Sequence, residues 1–97
     1  MMGSSVTWTQ VPGASQYHLY RGNLVTLSET SVYTQDPAAT AGARRFCWLL
    51  ATQVDDDYSP APGEAVFYLA TSDDGLTEGS LGTNSRGEER PNQNPCR

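Results

Sequence analysis

The sequence predicts an all-β fold, a small sandwich or barrel, on three observations. Short segments in which apolar and polar residues alternate recur along the chain, beginning with residues 6–11 and 16–21. The nine glycines and six prolines fall largely between these segments, where turns are expected. No stretch repeats apolar residues at helical spacing. Together these features favour short strands joined by turns over helices.

The remaining strand candidates are less regular. Residues 24–34 are β-prone but polar. Residues 46–50 form the most apolar run, which suits either a one-turn helix or a strand buried on both faces. Residues 65–72 are the strongest strand candidate, and residues 80–85 are expected to return as a further strand.

Length and charge limit the classes of function. The chain has 97 residues, the size of one domain, and carries a net charge of −5 with no lysine among its six cations. Nucleic acid is not an expected partner, because phosphate binding needs a dense basic face. No apolar stretch has the roughly 20 residues of a membrane-spanning helix, and residues 1–5 lack the features of a signal peptide. We therefore expect no membrane insertion.

Two cysteines, Cys47 and Cys96, lie about half the chain apart. This is not the spacing of a zinc site, and His18 is the only histidine. One interpretation is a disulfide that stabilises a domain too small to bury a large core, and the other is one buried thiol with one free thiol in the tail. The disulfide is favoured, and it would indicate an oxidising compartment.

The residues offer little for catalysis. No nucleophile, metalloprotease or phosphate-loop motif is present, and His18 is expected to face solvent from a strand. Two clusters of carboxylates, at residues 55–57 and 73–74, are expected in turns, where aspartate side chains accept hydrogen bonds from the local backbone. The alternative for these clusters is calcium binding, with the candidate ligands Asp55, Asp56, Asp57, Asp73 and Asp74. We expect a protein that is not an enzyme and has no cofactor.

The sequence resembles bacterial fibronectin type III domains at their strands B and C, through Val6-x-Trp8, Val11-Pro12-Gly13-Ala14 and Tyr17-x-Leu19-Tyr20-Arg21-Gly22. It is similar to their F strand, F–G loop and G strand through Pro62-Gly63, Phe67-Tyr68-Leu69 and Gly79-Ser80-Leu81-Gly82. The ending Gly87-x-x-Arg90-Pro91-Asn92-x-Asn94-Pro95-Cys96 resembles the tail of such domains in secreted bacterial proteins. The resemblance implies an immunoglobulin-like sandwich over residues 6–90, after a start or linker at 1–5 and before a proline-containing tail at 91–97.

The resemblance also implies which side chains form the core and which face outward. The centre of the core is expected at Trp8, Tyr17, Leu19 and Tyr68, with Val6 and Val66 beside them. Phe67 and Leu69 would then point away from the core, and they would need a cover from residues 35–50 or from another subunit.

One departure from the family concerns its first strand, which is missing or very short here because only five residues precede Val6. The strand at residues 6–11 would then have an unpaired edge, which is open to strand addition. Alternatively, the tail covers this edge, or the chain is a fragment of a longer protein.

The expected function is a non-catalytic structural or interaction module that is secreted or at the cell surface. It would act as a spacer, an adhesion part or an assembly subunit of a filament or similar structure, with a second copy or the rest of a longer chain as partner. The alternative is a carbohydrate-binding accessory domain of a secreted hydrolase, since Tyr20, Tyr33, Trp48 and Tyr58 could stack on sugars if they were exposed.

Overall fold

The computed structural model describes residues 4–56, 58–60 and 62–96. Its elements in chain order are β1 (Ser4–Thr7), β2 (Gln16–Asn23), α1 (Leu24–Thr30), β3 (Arg44–Leu49), β4 (Gln53–Asp56) and β5 (Val66–Asp73). The strands form two antiparallel sheets, one of β1 and β4 and one in the order β3-β2-β5. The fold is therefore mostly β and is consistent with a small sandwich.

The two sheets face each other through contacts between their inner faces. Arg21 of β2 lies opposite Tyr68 of β5, so their side chains share a face of the three-stranded sheet. Both reach Asp56 of β4, Arg21 through an ion pair at 2.7 Å and Tyr68 through its hydroxyl at 2.6 Å. Trp8, just after β1, meets Tyr17 of β2 edge to face at 5.9 Å between ring centroids. These contacts hold one sheet against the other.

The core is centred on β2, the central strand of its sheet. Tyr17 and Leu19 point to the inner face and are buried, as is Tyr20 on the opposite, outer face. The other expected core residues are half-buried, namely Val6, Trp8, Val66 and Tyr68. Burial on both faces of β2 shows that the outer face of this sheet is also covered.

The helix α1 was not predicted, since the sequence indicated a β-prone but polar segment over residues 24–34. Its start is fixed by Asn23, whose side-chain oxygen accepts hydrogen bonds from the backbone N–H groups of Val25 and Thr26. Ser31 ends it in the left-handed conformation, with a φ of 60°. The helix has no buried residue and no apolar stripe, so its sequence shows no helical periodicity.

In the part of the chain that the structure describes, none of the helices has the length and the hydropathy of a membrane span.

Three strand boundaries also differ from the prediction. β1 begins at Ser4, so Ser4 and Ser5 belong to a strand and not to a linker, and it ends at Thr7, so residues 8–11 of the predicted strand lie outside it. Asp55 and Asp56 lie in β4, where a turn was predicted. The expected returning strand at 80–85 is irregular, with only an isolated bridge between Thr83 and Glu89. A turn held by local bonds to the Asn84 side chain and backbone replaces it.

β3 is a strand, which settles the choice left open for residues 46–50, but it is not buried on both faces. It lies at the edge of its sheet, and Trp48 is 46% exposed. Two residues of β3, Cys47 and Trp48, stand opposite the single residue His18 of β2, since the ladder shifts register between Tyr17 and Leu19. This is a β-bulge, and Trp48 has the unusual φ of 59° for a non-glycine residue.

Candidate functional site

His18 lies at the centre of a polar cluster on the outer face of the three-stranded sheet. Its side chain is fully buried, and its Nε2 lies 2.9 Å from a carboxylate oxygen of Asp73. Its Nδ1 accepts a hydrogen bond from the backbone N–H of Trp48 at 3.0 Å. Since Nδ1 accepts, the proton resides on Nε2 and is donated to Asp73. The expectation that His18 faces solvent is wrong, because the C-terminal part of the chain covers this face.

The bulge in β3 positions Trp48 over this histidine. The two rings meet edge to face, with 4.7 Å between their centroids. The positive φ of Trp48 directs its amide at the imidazole while leaving nearly half of the side chain exposed. Bulges commonly redirect a side chain in this way next to binding sites.

Tyr20 is the second anchor of the cluster. Its hydroxyl donates to the carboxylate of Glu78, which also accepts from the Thr71 hydroxyl at 2.5 Å. The same hydroxyl accepts from the Asn92 side chain at 3.3 Å and from the backbone N–H of Cys96 at 2.8 Å. Burial raises the pKa of Tyr20 to about 12, with Glu78 acting in the same direction and the bonds from Asn92 and Cys96 opposing it. Tyr20 therefore stays neutral at physiological pH.

The tail, residues 91–96, is fastened across the outer face by a covalent bond and by hydrogen bonds. The predicted Cys47–Cys96 disulfide is confirmed, with 5.6 Å between the Cα atoms. Asn94 adds two bonds to the buried Thr34, from its backbone N–H at 2.9 Å and from its side-chain amide at 2.6 Å. The tail thus covers the sheet face and not the edge of β1.

Phe67 and Leu69, the expected outward pair, share this outer face with Tyr20. Both are half-buried within the single chain. The Phe67 ring lies over Gly22 of the neighbouring strand so closely that a Cβ at that glycine would be 2.5 Å from the ring. A second subunit is therefore not needed to shield Phe67.

Asp56 is the centre of the charged contact between the two sheets. Both of its carboxylate oxygens lie 2.7 Å from Nη1 of Arg21, and it also accepts from the Tyr58 backbone N–H at 3.2 Å. Burial opposes its ionisation, but the hydrogen bonds from Arg21, Tyr68 and Tyr58 and the charge of Arg21 outweigh burial and lower the pKa of Asp56. Burial and the adjacent carboxylate raise the pKa of Tyr68 to about 12.

The calcium candidates do not converge on one site. Asp56 lies at the Arg21 end of β2 and Asp73 at the other end, opposite Gln16. Asp55 accepts from the Ser5 hydroxyl, and Asp74 caps the backbone N–H groups of residues 76 and 77. Asp57 lies outside the described residues. In the part of the chain that the structure describes, one metal-ligating group is compact: the ligand atoms of His18, Cys47 and Cys96 all lie within 4.8 Å of one another.

The four aromatic residues considered for sugar stacking do not form an exposed platform. Tyr20 is buried. Tyr33 and Tyr58 are half-buried, with guanidinium groups of Arg90 and Arg21 over their rings at 5.6 and 4.0 Å. Of the four, Trp48 alone is exposed.

The edge of β1 is the second feature that bears on function. The backbone N–H of Trp8 donates to Thr52 at 3.1 Å, so alternate residues of β1 bond towards β4. Ser5 and Thr7 then direct their backbone groups to the opposite side, where no strand lies among the described residues. Both residues are exposed.

The other sheet edges carry protection that β1 lacks. The β3 edge has Arg44, Arg45 and the bulge, and the β4 edge has Asp55. Beside the end of β5, the backbone N–H of Gly79 donates to Ser72 at 2.6 Å, which covers that edge locally. β1 has neither a charge, a proline nor a bulge in its sequence SSVT.

The roles of His18, Tyr20 and Arg21 were not predicted from the sequence. All three lie in β2 and are buried, although His18 and Arg21 are polar and Tyr20 carries a hydroxyl group. A buried cation or imidazole needs a carboxylate partner, but the carboxylates that pair with Arg21 and His18 lie 35 and 55 residues further along the chain, so no local pattern in the sequence indicated these contacts. Comparisons with protein-family models, with curated proteins and with solved structures found no significant match.

Proposed function

We propose that this protein is a non-catalytic interaction module of a secreted or surface-exposed structure, which associates with another polypeptide by strand addition at β1. The observation that carries the proposal is the β1 edge, whose outward backbone groups at Ser5 and Thr7 are exposed and unprotected by charge.

The strand pairing supports a fibronectin type III-like sandwich as the scaffold. In the order of the chain, β1 to β5 would correspond to strands B, C, C′, E and F of such a domain. The pairings of β1 with β4 and of β2 with β5 are those of B with E and of C with F. The irregular course of residues 80–85, where strand G is expected, is a departure from that pattern.

The geometry of the polar clusters favours a structural role over catalysis. Both ring nitrogens of His18 are engaged inside the protein, and its side chain is inaccessible to a substrate. Asp56 is likewise committed to Arg21. A general acid or base must reach the proton it transfers, and neither group can do so here.

The disulfide supports a location outside the reducing cytoplasm. Cys47 and Cys96 close a loop whose sequence separation is 49 residues, and disulfides of this kind persist in oxidising compartments. A domain of this size also needs the stability that a disulfide provides, as is common in small secreted domains.

A second copy of the chain is the partner that the β1 sequence itself fits. If two β1 strands pair antiparallel about Val6, Ser5 of one copy lies opposite Thr7 of the other, and the outward backbone groups of both strands bond each other. Val6 would then lie beside its counterpart on the inner face, so the apolar face of the sheet continues across the junction. The contact is short, and we expect weak, concentration-dependent association.

A single proline substitution in β1 tests this proposal. Thr7→Pro removes an outward N–H without touching the ladder to β4, whereas the matched control Thr7→Ala keeps that N–H. Light scattering after size exclusion should show a dimer at high concentration for the wild type and Thr7→Ala, and a monomer for Thr7→Pro. A wild-type protein that stays monomeric over the whole accessible concentration range would overturn self-association through β1.

Carbohydrate binding is a second candidate because Trp48 is presented at a bulge and is 46% exposed. A titration of tryptophan fluorescence with oligosaccharides would test it, with Trp48→Ala as the variant that should abolish a response. An unchanged response in Trp48→Ala would reject this site.

A further inference from the structure

We propose that the protein binds a zinc ion when the Cys47–Cys96 disulfide is reduced, through the two thiolates and the imidazole of His18. Disulfide and metal would be mutually exclusive, so occupation of the site depends on the redox state of the surroundings. The site lies under the tail, away from the β1 edge, and is independent of the proposed association.

The three proposed ligand atoms lie close enough together to surround a small metal ion once the disulfide is broken. They lie within 4.8 Å of one another in the oxidised protein. In a tetrahedral zinc site, bond lengths of about 2.3 Å to sulfur and about 2.0–2.1 Å to nitrogen place the ligand atoms about 3.6–3.8 Å apart. The sulfurs, at 2.07 Å in the disulfide, need only separate after reduction. The fourth position would be open to water.

The imidazole is already held in the tautomer that a metal needs. Asp73 accepts the Nε2 proton, so the lone pair is on Nδ1, as in the carboxylate–histidine–zinc arrangement of metal sites. Nδ1 is the nitrogen assigned to the metal in this proposal, because Nε2 is bonded to Asp73 and Nδ1 accepts from the amide of the residue after Cys47. A metal would displace this one bond from Trp48. The displaced amide lies in the irregular bulge and not in the regular ladder.

The tail holds Cys96 near the other ligands without the help of the disulfide. The backbone N–H of Cys96 itself donates to Tyr20, two residues beyond His18 on the same strand face. Asn94 makes two further bonds to the buried Thr34. We therefore expect the tail of the reduced protein to open more often than in the oxidised protein but to remain docked for most of the time, with the two thiols adjacent before the metal arrives.

The reaction needs a reductant and releases protons. A phosphine such as tris(2-carboxyethyl)phosphine attacks one sulfur, breaks the S–S bond, takes up oxygen from water to become the phosphine oxide, and leaves two thiols. Each thiol then loses its proton when its sulfur binds zinc, so two protons are released per ion bound.

Cobalt titration of the reduced protein is the direct test, because Co²⁺ reports thiolate ligands and tetrahedral geometry by its absorption. The protein is reduced, freed of phosphine without oxygen and titrated with Co²⁺, which is then displaced by Zn²⁺. We expect one ion per reduced chain, a thiolate-to-cobalt charge-transfer band, and no band in the oxidised protein. A reduced protein without this band, or an oxidised protein that binds equally well, would overturn the proposal.

One variant removes a proposed ligand, a second removes the carboxylate that orients His18, and a third is a control. The reduced wild type is the reference, because it also lacks the disulfide. Cys96→Ser should lose the two-thiolate spectrum. Asp73→Asn should keep that spectrum but bind about 10–100-fold more weakly, as expected for a residue that orients a metal-bound histidine. Glu88→Gln, a change at an exposed carboxylate, should bind like the wild type. Equal affinity in Asp73→Asn would contradict the orienting role.

The histidine contribution can be read in the wild type, since a substitution at the buried His18 could prevent folding. His18 is the only histidine, so its ring nitrogens give two unambiguous ¹⁵N signals. Zinc binding to the reduced protein should shift the Nδ1 signal strongly, while Nε2 retains its proton. Unchanged ring signals at full zinc occupancy would exclude His18 as a ligand.

Discussion

The ion pair between Arg21 and Asp56 is the contact whose loss should harm the fold most sharply. Asp56→Asn leaves the Arg21 guanidinium buried, with side-chain exposures of 6% for Arg21 and 1% for Asp56. Removing one partner of a buried pair costs about 3–5 kcal/mol, because the remaining charge is uncompensated. A domain of this size has only about 5–15 kcal/mol of stability, so the variant should lose about a fifth of it or more.

Urea denaturation followed by tryptophan fluorescence would measure this loss, with Asp55→Asn as the matched control. Asp55 is the neighbouring residue but is exposed, with a bond to the Ser5 hydroxyl, and we expect its substitution to change stability by about 0.5 kcal/mol or less. In thermal unfolding, Asp56→Asn should lower the midpoint by about 12 °C or more. Equal losses in the two variants would show that the sheets are not joined through Asp56.

Three further predictions concern the disulfide, Trp8 in the core and the pH dependence of stability. Loss of the Cys47–Cys96 disulfide should cost about 2–5 kcal/mol, and hydrogen exchange in the reduced protein should rise in residues 91–96 before the sheets open; a tail that stays as protected as before would contradict this. Trp8→Ala should lower the free energy of unfolding in urea by about 3 kcal/mol or more. Trp8→Phe should lower it much less, because the buried indole N–H has no hydrogen-bond partner among the described residues. Equal losses in the two variants would refute that reasoning. The folded pKa of Asp56 is lowered below 3.8, so its stabilisation is fully present above that pH and is lost as the pH falls through the folded pKa; the stability gap between wild type and Asp56→Asn should narrow below pH 3.8, and a constant gap would contradict it.

The sequence predicted those strands that show alternation or an apolar run. β2 and β5 match their predicted positions within about two residues, because their apolar side chains and flanking turns give both the period and the ends. The disulfide was favoured correctly, because the spacing of the two cysteines is not that of a zinc site and a domain of this size needs additional stabilisation. For the strands, the signal lies within a short stretch of residues.

What the sequence did not reveal depends on contacts between distant residues. α1 has no apolar stripe, and its one local signal is the capping residue Asn23. His18 was expected at the surface because the tail that buries it lies more than 70 residues further along the chain. β4 was missed because two of its four residues are aspartates, of which Asp56 points inward to Arg21. Burial of a charge cannot be predicted until its partner is placed beside it.

Amide hydrogen exchange along β1, followed residue by residue at increasing protein concentration, tests the proposed association most directly. In a dilute monomer, Val6 and Trp8 should be protected by their bonds to β4, while Ser5 and Thr7 exchange rapidly. As the concentration rises, Ser5 and Thr7 should gain protection in the wild type, and Ser5 should not gain it in Thr7→Pro. Protection of Ser5 and Thr7 in the dilute monomer, or fast exchange of both at every concentration, would contradict association through this edge.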